Sequence, residues 1–492
     1  MFTRQKKCSI ISKNVRRDRM PQKKNLKFKS SRSIVKTYNP SNAENNGYEI
    51  NLITSSKIDT SNSKRLLTPL EAEKRRSQLM TGSSNGHSSV RKLRKPTNKL
   101  SLKKAPVVLT APKNKYEIQK NFIISHVKKH YELIDKNIVI ATLLLSIIGI
   151  ISVFSATRSM NSSRFIIIQT FAAIIGMGIM IFMSFLDYRQ LAKNYRLIIL
   201  LNAGILLFTY LFGEGVTSET NKNWINLGFI KIQPSEFAKI LFIYALAVHL
   251  YFIKDRINKI FTAFSIALHG ILILGLTFLQ KDLGSLLVFV FIFVIMSFAA
   301  NLNIWYYITG TVVVVLTSPF IWSMLNVYQQ QRILVPYDKS IDAAGTGIRY
   351  QTLQSMSAIS RGGVGGAGYT KGVLTQGPLS AKHTDMIYAT ICEEFGFIGG
   401  VAVIILFAFL IYKIVRLAIA CDSALGFLIC TGVIAMLSIQ ILENIGMCLG
   451  IMPIIGITLP FISYGGSSAL SVYIAMGMVL SVSTHKEKTF FK

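Results

Sequence analysis

Cysteine is scarce in this chain and falls in no useful pattern. Cys8, Cys392, Cys421, Cys430 and Cys448 are spread over 492 residues with no paired spacing. That excludes a disulfide framework and a Cys/His zinc module, and leaves ordinary core or lipid-facing thiols. Acidic residues are also few, 23 Asp and Glu against 55 Lys and Arg. The phosphate-cradling G-x-x-x-x-G-K-[ST], the G-x-S-x-G elbow and the zinc-binding H-E-x-x-H are all missing, so nucleotide, serine-hydrolase and zinc-hydrolase chemistry has no support. No basic module interleaved with aromatics is present, so no specific nucleic-acid partner is expected. The first hundred residues lack an apolar h-region and are not expected to act as a secretory signal.

What is abundant is apolar sequence and positive charge: 51% of residues are hydrophobic, only 16% are charged, yet the net charge is +32. The two facts reconcile once the chain is divided. Residues 1–136 hold 32 Lys and Arg and 9 Asp and Glu, a net +23. This basic tail is rich in Ser and Asn and poor in aromatics. It cannot bury enough apolar surface to offset its ordering entropy, so it reads as mostly disordered. Its simplest target is an anionic membrane leaflet. An interfacial helix is expected over Tyr116–Tyr131.

The remainder carries apolar runs of membrane length, since a ~30 Å hydrocarbon core takes roughly 20 helical residues. Ten spans fit, centred on 138–154, 165–185, 197–212, 240–252, 261–279, 286–299, 305–322, 398–415, 425–442 and 469–482. The fold class is therefore an all-α polytopic membrane protein of about ten transmembrane helices. The membrane domain covers 137–485, with one large loop at 325–396 between spans 7 and 8.

Alternate loops are basic: Arg189, Lys193 and Arg196, then Lys254, Arg256 and Lys259, then Lys413 and Arg416. With ten spans these fall on the side of the tail and of the C-terminal residues 486–492. By the positive-inside rule that side is cytoplasmic, and both termini with it. The large loop and the stretches 213–235, 280–285 and 443–467 then face outward.

Polar chemistry concentrates in four outward clusters. The first is Gln233-Pro234-Ser235-Glu236-Phe237-Ala238-Lys239, where Pro suits a helix start and Glu236 and Lys239 share a face. The second is Gln280-Lys281-Asp282-Leu283-Gly284. It sets one carboxylate at the lip of two apolar segments, where it either caps the sixth span or works in a water-filled cavity. The third runs from Tyr350 through Gly396, with Gln354, Arg361-Gly362-Gly363, His383-Thr384-Asp385 and Glu393-Glu394-Phe395-Gly396, in the large loop that also holds Arg332, a length of loop that usually carries function. The fourth is Leu459-Pro460-Phe461-Ile462-Ser463-Tyr464-Gly465-Gly466-Ser467-Ser468. Helix-breaking residues there expose backbone that membrane depth tolerates only against protein or a watery cavity.

In this order, the four clusters resemble the SEDS family of bacterial cell-wall polymerases, the RodA and FtsW type, over about residues 135–485. The block 459–468 and the blocks around His383-Thr384-Asp385 and Glu393-Glu394-Phe395-Gly396 are the specific parts. Asn444-Ile445-Gly446-Met447 with Gly456-Ile457, and Tyr328-Gln329 with Arg332-Ile333, lean toward the elongation (RodA) branch. Departures are Lys281, where the family often has Pro, Asn223 before Trp224, where it usually has Arg, and Leu379-Ser380-Ala381, where it usually has Leu-Pro-Glu.

The resemblance implies a ten-helix glycosyltransferase of the bacterial plasma membrane. It would polymerise lipid II into glycan strands during elongation or division, beside a class B penicillin-binding transpeptidase. An acceptor hydroxyl must then attack an anomeric carbon bearing a polyprenyl diphosphate. That needs a base, for which Asp282 is the candidate. The diphosphate needs cations, for which Lys239, Arg332 and Arg361 are candidates, or a divalent ion such as Mg or Mn on Asp385, Glu393 or Glu394. Glu236, His383, Ser463, Tyr464, Gly465, Gly466 and Ser467 complete the expected substrate contacts, and no organic cofactor is expected. A lipid II flippase or transporter, or a non-catalytic scaffold of the synthesis machinery, are the competing readings.

Overall fold

The computed structural model describes residue 125 and residues 128–485, apart from 161, 216–221, 227, 229 and 230. Most of the basic tail and the C-terminal residues 486–492 lie outside the described residues, as does most of Tyr116–Tyr131. The last part of the tail, residues 128–133, is helical. It is tied to the membrane domain by His130, whose ring stacks on Phe185 at 3.7 Å and whose Nε2 lies 2.9 Å from Ser184 Oγ.

The elements run α1 (Lys136–Thr157), α2 (Arg164–Phe185), α3 (Tyr195–Phe212), a two-stranded antiparallel ribbon of β1 (Ile225–Asn226) and β2 (Lys231–Ile232), α4 (Pro234–Ile253), α5 (Ile260–Leu279), α6 (Leu283–Ala299), α7 (Ile304–Met324), α8 (Val327–Leu334), α9 (Tyr350–Gly362), α10 (Val373–Gln376), α11 (Ile387–Ile419), α12 (Ala424–Cys448) and α13 (Gly466–Thr484). Among the described residues nine helices are long and apolar enough to cross a membrane. The 17-residue α6 is a shorter apolar helix and makes the tenth. The ten expected spans each fall on one of these helices.

Small polar side chains inside the spans are satisfied locally, as hydrocarbon requires. Thr142, Thr209 and Thr277 return their hydroxyls to the carbonyls of Ile138, Ile205 and Ile273, four residues back. Helix starts are set by side-chain caps at Asp135, Asp282, Asn303 and Ser423. The inner helices are α4, α12 and α13, whose apolar windows are 72%, 72% and 78% buried, whereas α7 buries none.

The stretch 325–396 is not one open loop. It contains α8, a 3-10 turn at Lys339–Asp342, α9, α10 and the first part of α11. α11 itself breaks at Gly396, which has φ 68° and ψ −165°. There the glycine-rich strand 362–368 docks backbone to backbone. Ala367 and Gly368 donate N–H groups to the Glu393 and Glu394 carbonyls, and Phe397 donates to Gly363 O. A Cβ on Gly362 would lie 1.9 Å from the Cys392 carbonyl, so only glycine permits this approach. Gly362 thus permits close chain packing, and Gly363 begins the turn that follows α9.

Candidate active site

Asp282 heads α6. Its Oδ1 accepts from Ser285 N–H at 3.0 Å, the cap that starts the helix. Its Oδ2 accepts from Gln233 Nε2 at 3.2 Å and Ser235 Oγ at 3.3 Å, both at the start of α4. Ser235 thus spends its hydroxyl on Asp282, while Gln233 occupies the cap position of α4. Gln233 N–H donates to Ser467 Oγ, which brings in the first turn of α13. Two helix starts therefore meet at one carboxylate, which is only 7% exposed, and a third is joined to it through Gln233.

The broken segment between α12 and α13 lies against this point. A Cβ on Gly284 would stand 2.8 Å from the Ile455 carbonyl and 3.2 Å from Ile457. On the segment's other side, a Cβ on Gly456 would stand 3.6 Å from Asp385 Oδ2. Asn444 binds both flanks, donating from Nδ2 to the carbonyls of Ile457 and Asp385 at 2.8 Å each. Ser463 Oγ donates to Thr384 O, and Tyr464 N–H donates to His383 O. The 383–385 and 459–468 motifs are thus one packed unit beside Asp282. His383, Tyr464 and Phe165 form a corner of tilted rings with centroids 4.9–5.6 Å apart.

The short helix α8 closes another side. Lys281 Nζ lies 3.4 Å from Asn326 Oδ1, and Gln329 Nε2 donates to the Lys281 carbonyl at 3.3 Å. Arg332, one turn beyond Gln329, lies over the Tyr328 ring at 4.5 Å. Its positive charge reaches Asp385. Burial pushes the Asp385 carboxyl up to about 6, against the pull of that guanidinium. Burial also lowers the pKa values of Lys382 and His383, with Lys382 adding to the effect on His383.

Other expected site residues are spent elsewhere. Lys239 Nζ is 2.8 Å from Glu236 Oε2, and the two side chains are 2% and 8% exposed. Ser471 also donates to Glu236, so the pair is a closed internal unit and offers no free cation. Glu393 caps α10: Oε1 accepts from Leu374 N–H, and Oε2 from Thr375 N–H and hydroxyl. Glu394 accepts from the Ser155 hydroxyl. Both glutamates are 1% exposed, so they are no solvated helix start. Arg361 is exposed at the end of α9, with no hydrogen bond or ion pair joining it to the Asp282 cluster among the described residues. Gly465 is the extended residue ahead of α13, and Gly466 opens that helix.

Asp385, Glu393 and Glu394 therefore do not converge, and among the described residues no three His, Cys, Asp or Glu side chains could hold a metal ion. The set named for a divalent ion does not fit one.

Several site residues carried little signal in the sequence. Gln233 and Ser235 were visible only as neighbours of Glu236, and Lys281 only as a departure from the family pattern. Gln280 is fully enclosed and donates to Leu206 O at 2.6 Å. Buried ionisable groups also occur away from the site. His249 and His269 face each other through Nδ1 atoms at 3.3 Å, and Glu443 Oε1 has no partner among the described residues.

The family model described as "Cell cycle protein", built on FtsW, RodA and SpoVE, matches residues 135–488. Stage V sporulation protein E of Bacillus subtilis is 33% identical over 362 residues, covering 70% of this chain and 96% of that protein. The Geobacter metallireducens protein named "Probable peptidoglycan glycosyltransferase FtsW" is 34% identical, covering 71% and 95%. A solved structure described as "Structural coordination of polymerization and crosslinking by a peptidoglycan synthase complex" aligns with TM-score 0.61 and 27% identity, over 71% of this chain and 97% of that one.

Proposed function

The chain belongs to the FtsW–RodA–SpoVE family of cell cycle proteins and is a multi-pass membrane peptidoglycan glycosyltransferase of cell-wall synthesis, and we propose that it polymerises lipid II with Asp282 as general base. The observation that supports this reading is one buried carboxylate held by the starts of two helices, with the start of a third joined through Gln233. Gln233, Ser235 and the Ser285 N–H fix both carboxylate oxygens. A base that is already oriented need not be ordered at the moment of reaction.

In the proposed step the acceptor sugar hydroxyl attacks the anomeric carbon of the donor. Its proton passes to Asp282, a C–O bond forms, and the bond to the diphosphate breaks with its electron pair leaving on phosphate oxygen. The Asp282 end of the bundle faces outward, in keeping with the basic loops at the other end. No step is routed through a metal ion, since among the described residues the three candidate carboxylates form no common ligand set. A class B penicillin-binding transpeptidase is the proposed partner. Support comes from the likeness to a chain whose structure is described in terms of polymerization and crosslinking.

The test is purified protein with fluorescent lipid II in detergent, with products resolved by length. A ladder of glycan strands is expected, and its absence would sink the reading. A transporter would move lipid II across vesicles without lengthening it, and a scaffold would do neither.

A further inference from the structure

We propose that Lys281, in the turn before α6 and held against α8, and Arg332, on α8 itself, form the site for the diphosphate of the lipid-linked donor. This inference rests on the glycosyltransferase reading and names the cations that reading requires. Two of the three carriers favoured by sequence do not serve: Lys239 is closed against Glu236, and Arg361 is exposed at the end of α9 with no bond to the cluster among the described residues. Lys281 adjoins Asp282 in the chain, is half-buried, and forms no ion pair among the described residues. Its only side-chain partner there is the neutral Asn326 amide oxygen, at 3.4 Å.

The backbone at Lys281 is unusual. With φ 58° it sits in the left-handed region that a lysine rarely adopts. Such strain persists only when the surroundings impose it, and it gathers at functional sites. Here the surroundings are identifiable. Gln329 grips the Lys281 carbonyl, and Asp282 caps the following helix. Both ends of the residue are fixed, so its side chain is directed toward α8. On α8, Gln329 and Arg332 are three residues apart and neighbours on one face. Arg332 donates to Tyr328 Oη and makes no ion pair within the described residues.

Two cations, one compact and one forked, are thus held on the turn next to the base and on the helix packed against that turn, neither in an ion pair among the described residues. A diphosphate fits both, the ammonium as a point charge and the guanidinium in two-pronged contact. As the bond from the anomeric carbon to the diphosphate breaks, the departing phosphate gains negative charge. Cations already in place stabilise that charge more than they stabilise the bound donor. Both residues would touch the leaving group and act in the chemical step.

The experiment uses full-length protein with Lys281→Met, Lys281→Arg and Lys281→Gly, read in two ways. The first readout is the rate of lipid II polymerisation. The second is thermal stabilisation by farnesyl diphosphate, a soluble probe of the same headgroup chemistry. Lys281→Met should polymerise at least tenfold more slowly and lose most of the stabilisation by the probe. Lys281→Arg should keep much of both.

Lys281→Gly removes the charge and also relieves the backbone. It should melt no lower than wild type yet be as slow as Lys281→Met. Normal polymerisation by Lys281→Met and Lys281→Gly would overturn the proposal. So would slow variants that still bind the probe normally, because Lys281 would then act through the shape of the Asp282 turn. If wild type makes no polymer, the glycosyltransferase reading fails, whereas stabilisation by the probe that depends on Lys281 would still establish the anion site.

Discussion

Replacing Asp282 by Asn separates the structural role of this residue from its chemical one. The structure allows the two costs to be sized. As helix cap, Asn is as good as Asp, because its amide oxygen can take the Ser285 N–H now received by Oδ1. On the other side, an NH₂ group would replace Oδ2 and meet the donor Nε2 of Gln233. Ser235 can turn its hydroxyl to accept, and Gln233 can present its own oxygen by rotating its amide. At most one hydrogen bond of ~0.5–1.5 kcal/mol is lost, and removal of a charge that is only 7% exposed offsets part of that.

The chemical cost is larger. A general base contributes ~10²–10⁴-fold, or about 3–5 kcal/mol of barrier. Asp282→Asn should therefore melt within a few degrees of wild type in detergent while its rate of glycan polymerisation falls at least 100-fold. Asp282→Ala should lose the cap as well, costing ~1 kcal/mol more in stability. Polymer made by Asp282→Asn at a rate and length near wild type would refute the assignment of the base.

Within the bundle, Lys239→Met alone should destabilise by ~3–5 kcal/mol by stranding Glu236. The double change Glu236→Leu with Lys239→Met should recover most of that loss in unfolding measurements. Gly362→Ala should cost about 3 kcal/mol, visible as a lowered melting temperature, because its Cβ would be forced to 1.9 Å from the Cys392 carbonyl. Asp385 gives a pH dependence. Its carboxyl titrates at about 6 in the fold against ~3.9 when unfolded, so the folded state binds the proton more tightly. Its contribution to stability is present below pH ~4 and is lost as pH rises to about 6, on the order of 2 kcal/mol in all. Asp385→Asn should flatten melting temperature over that interval, and Arg332→Gln should move the transition to higher pH.

The ten helices were legible because hydropathy and loop charge are local signals, and each span carries its own. Even the short α6 stood out, since Asp282 marks its start in the sequence as it does in the fold. The interior of 325–396 was not legible in the same way. The α9 segment Tyr350–Gly362 alternates polar and small residues over a length too short for a membrane signal. The docking of 362–368 on 393–397 is carried by backbone groups, which the side-chain alphabet does not record. Partners distant in sequence were equally hidden. Nothing near Glu393 announces that its oxygens cap a helix eighteen residues earlier, and a sequence pattern counts it as a free carboxylate.

The same distinction explains which charges remain available for chemistry. A buried charge in a bundle is tolerated when a partner is supplied nearby, and the partners of Lys239, Glu393 and Lys382 are all internal. The partners of Asp282 are neutral, two side chains and one backbone N–H, and they join it to the starts of α4 and α6. They orient the carboxylate without cancelling its charge. Lys281 and Arg332 bond only to the neutral Asn326 and Tyr328 among the described residues, and the Arg332 charge also reaches Asp385. One anion and two cations without an ion pair among the described residues thus lie at the start of α6, in the turn before it and on α8. That separation of charge matches a reaction in which a proton must be taken at one point and a phosphate charge received at another.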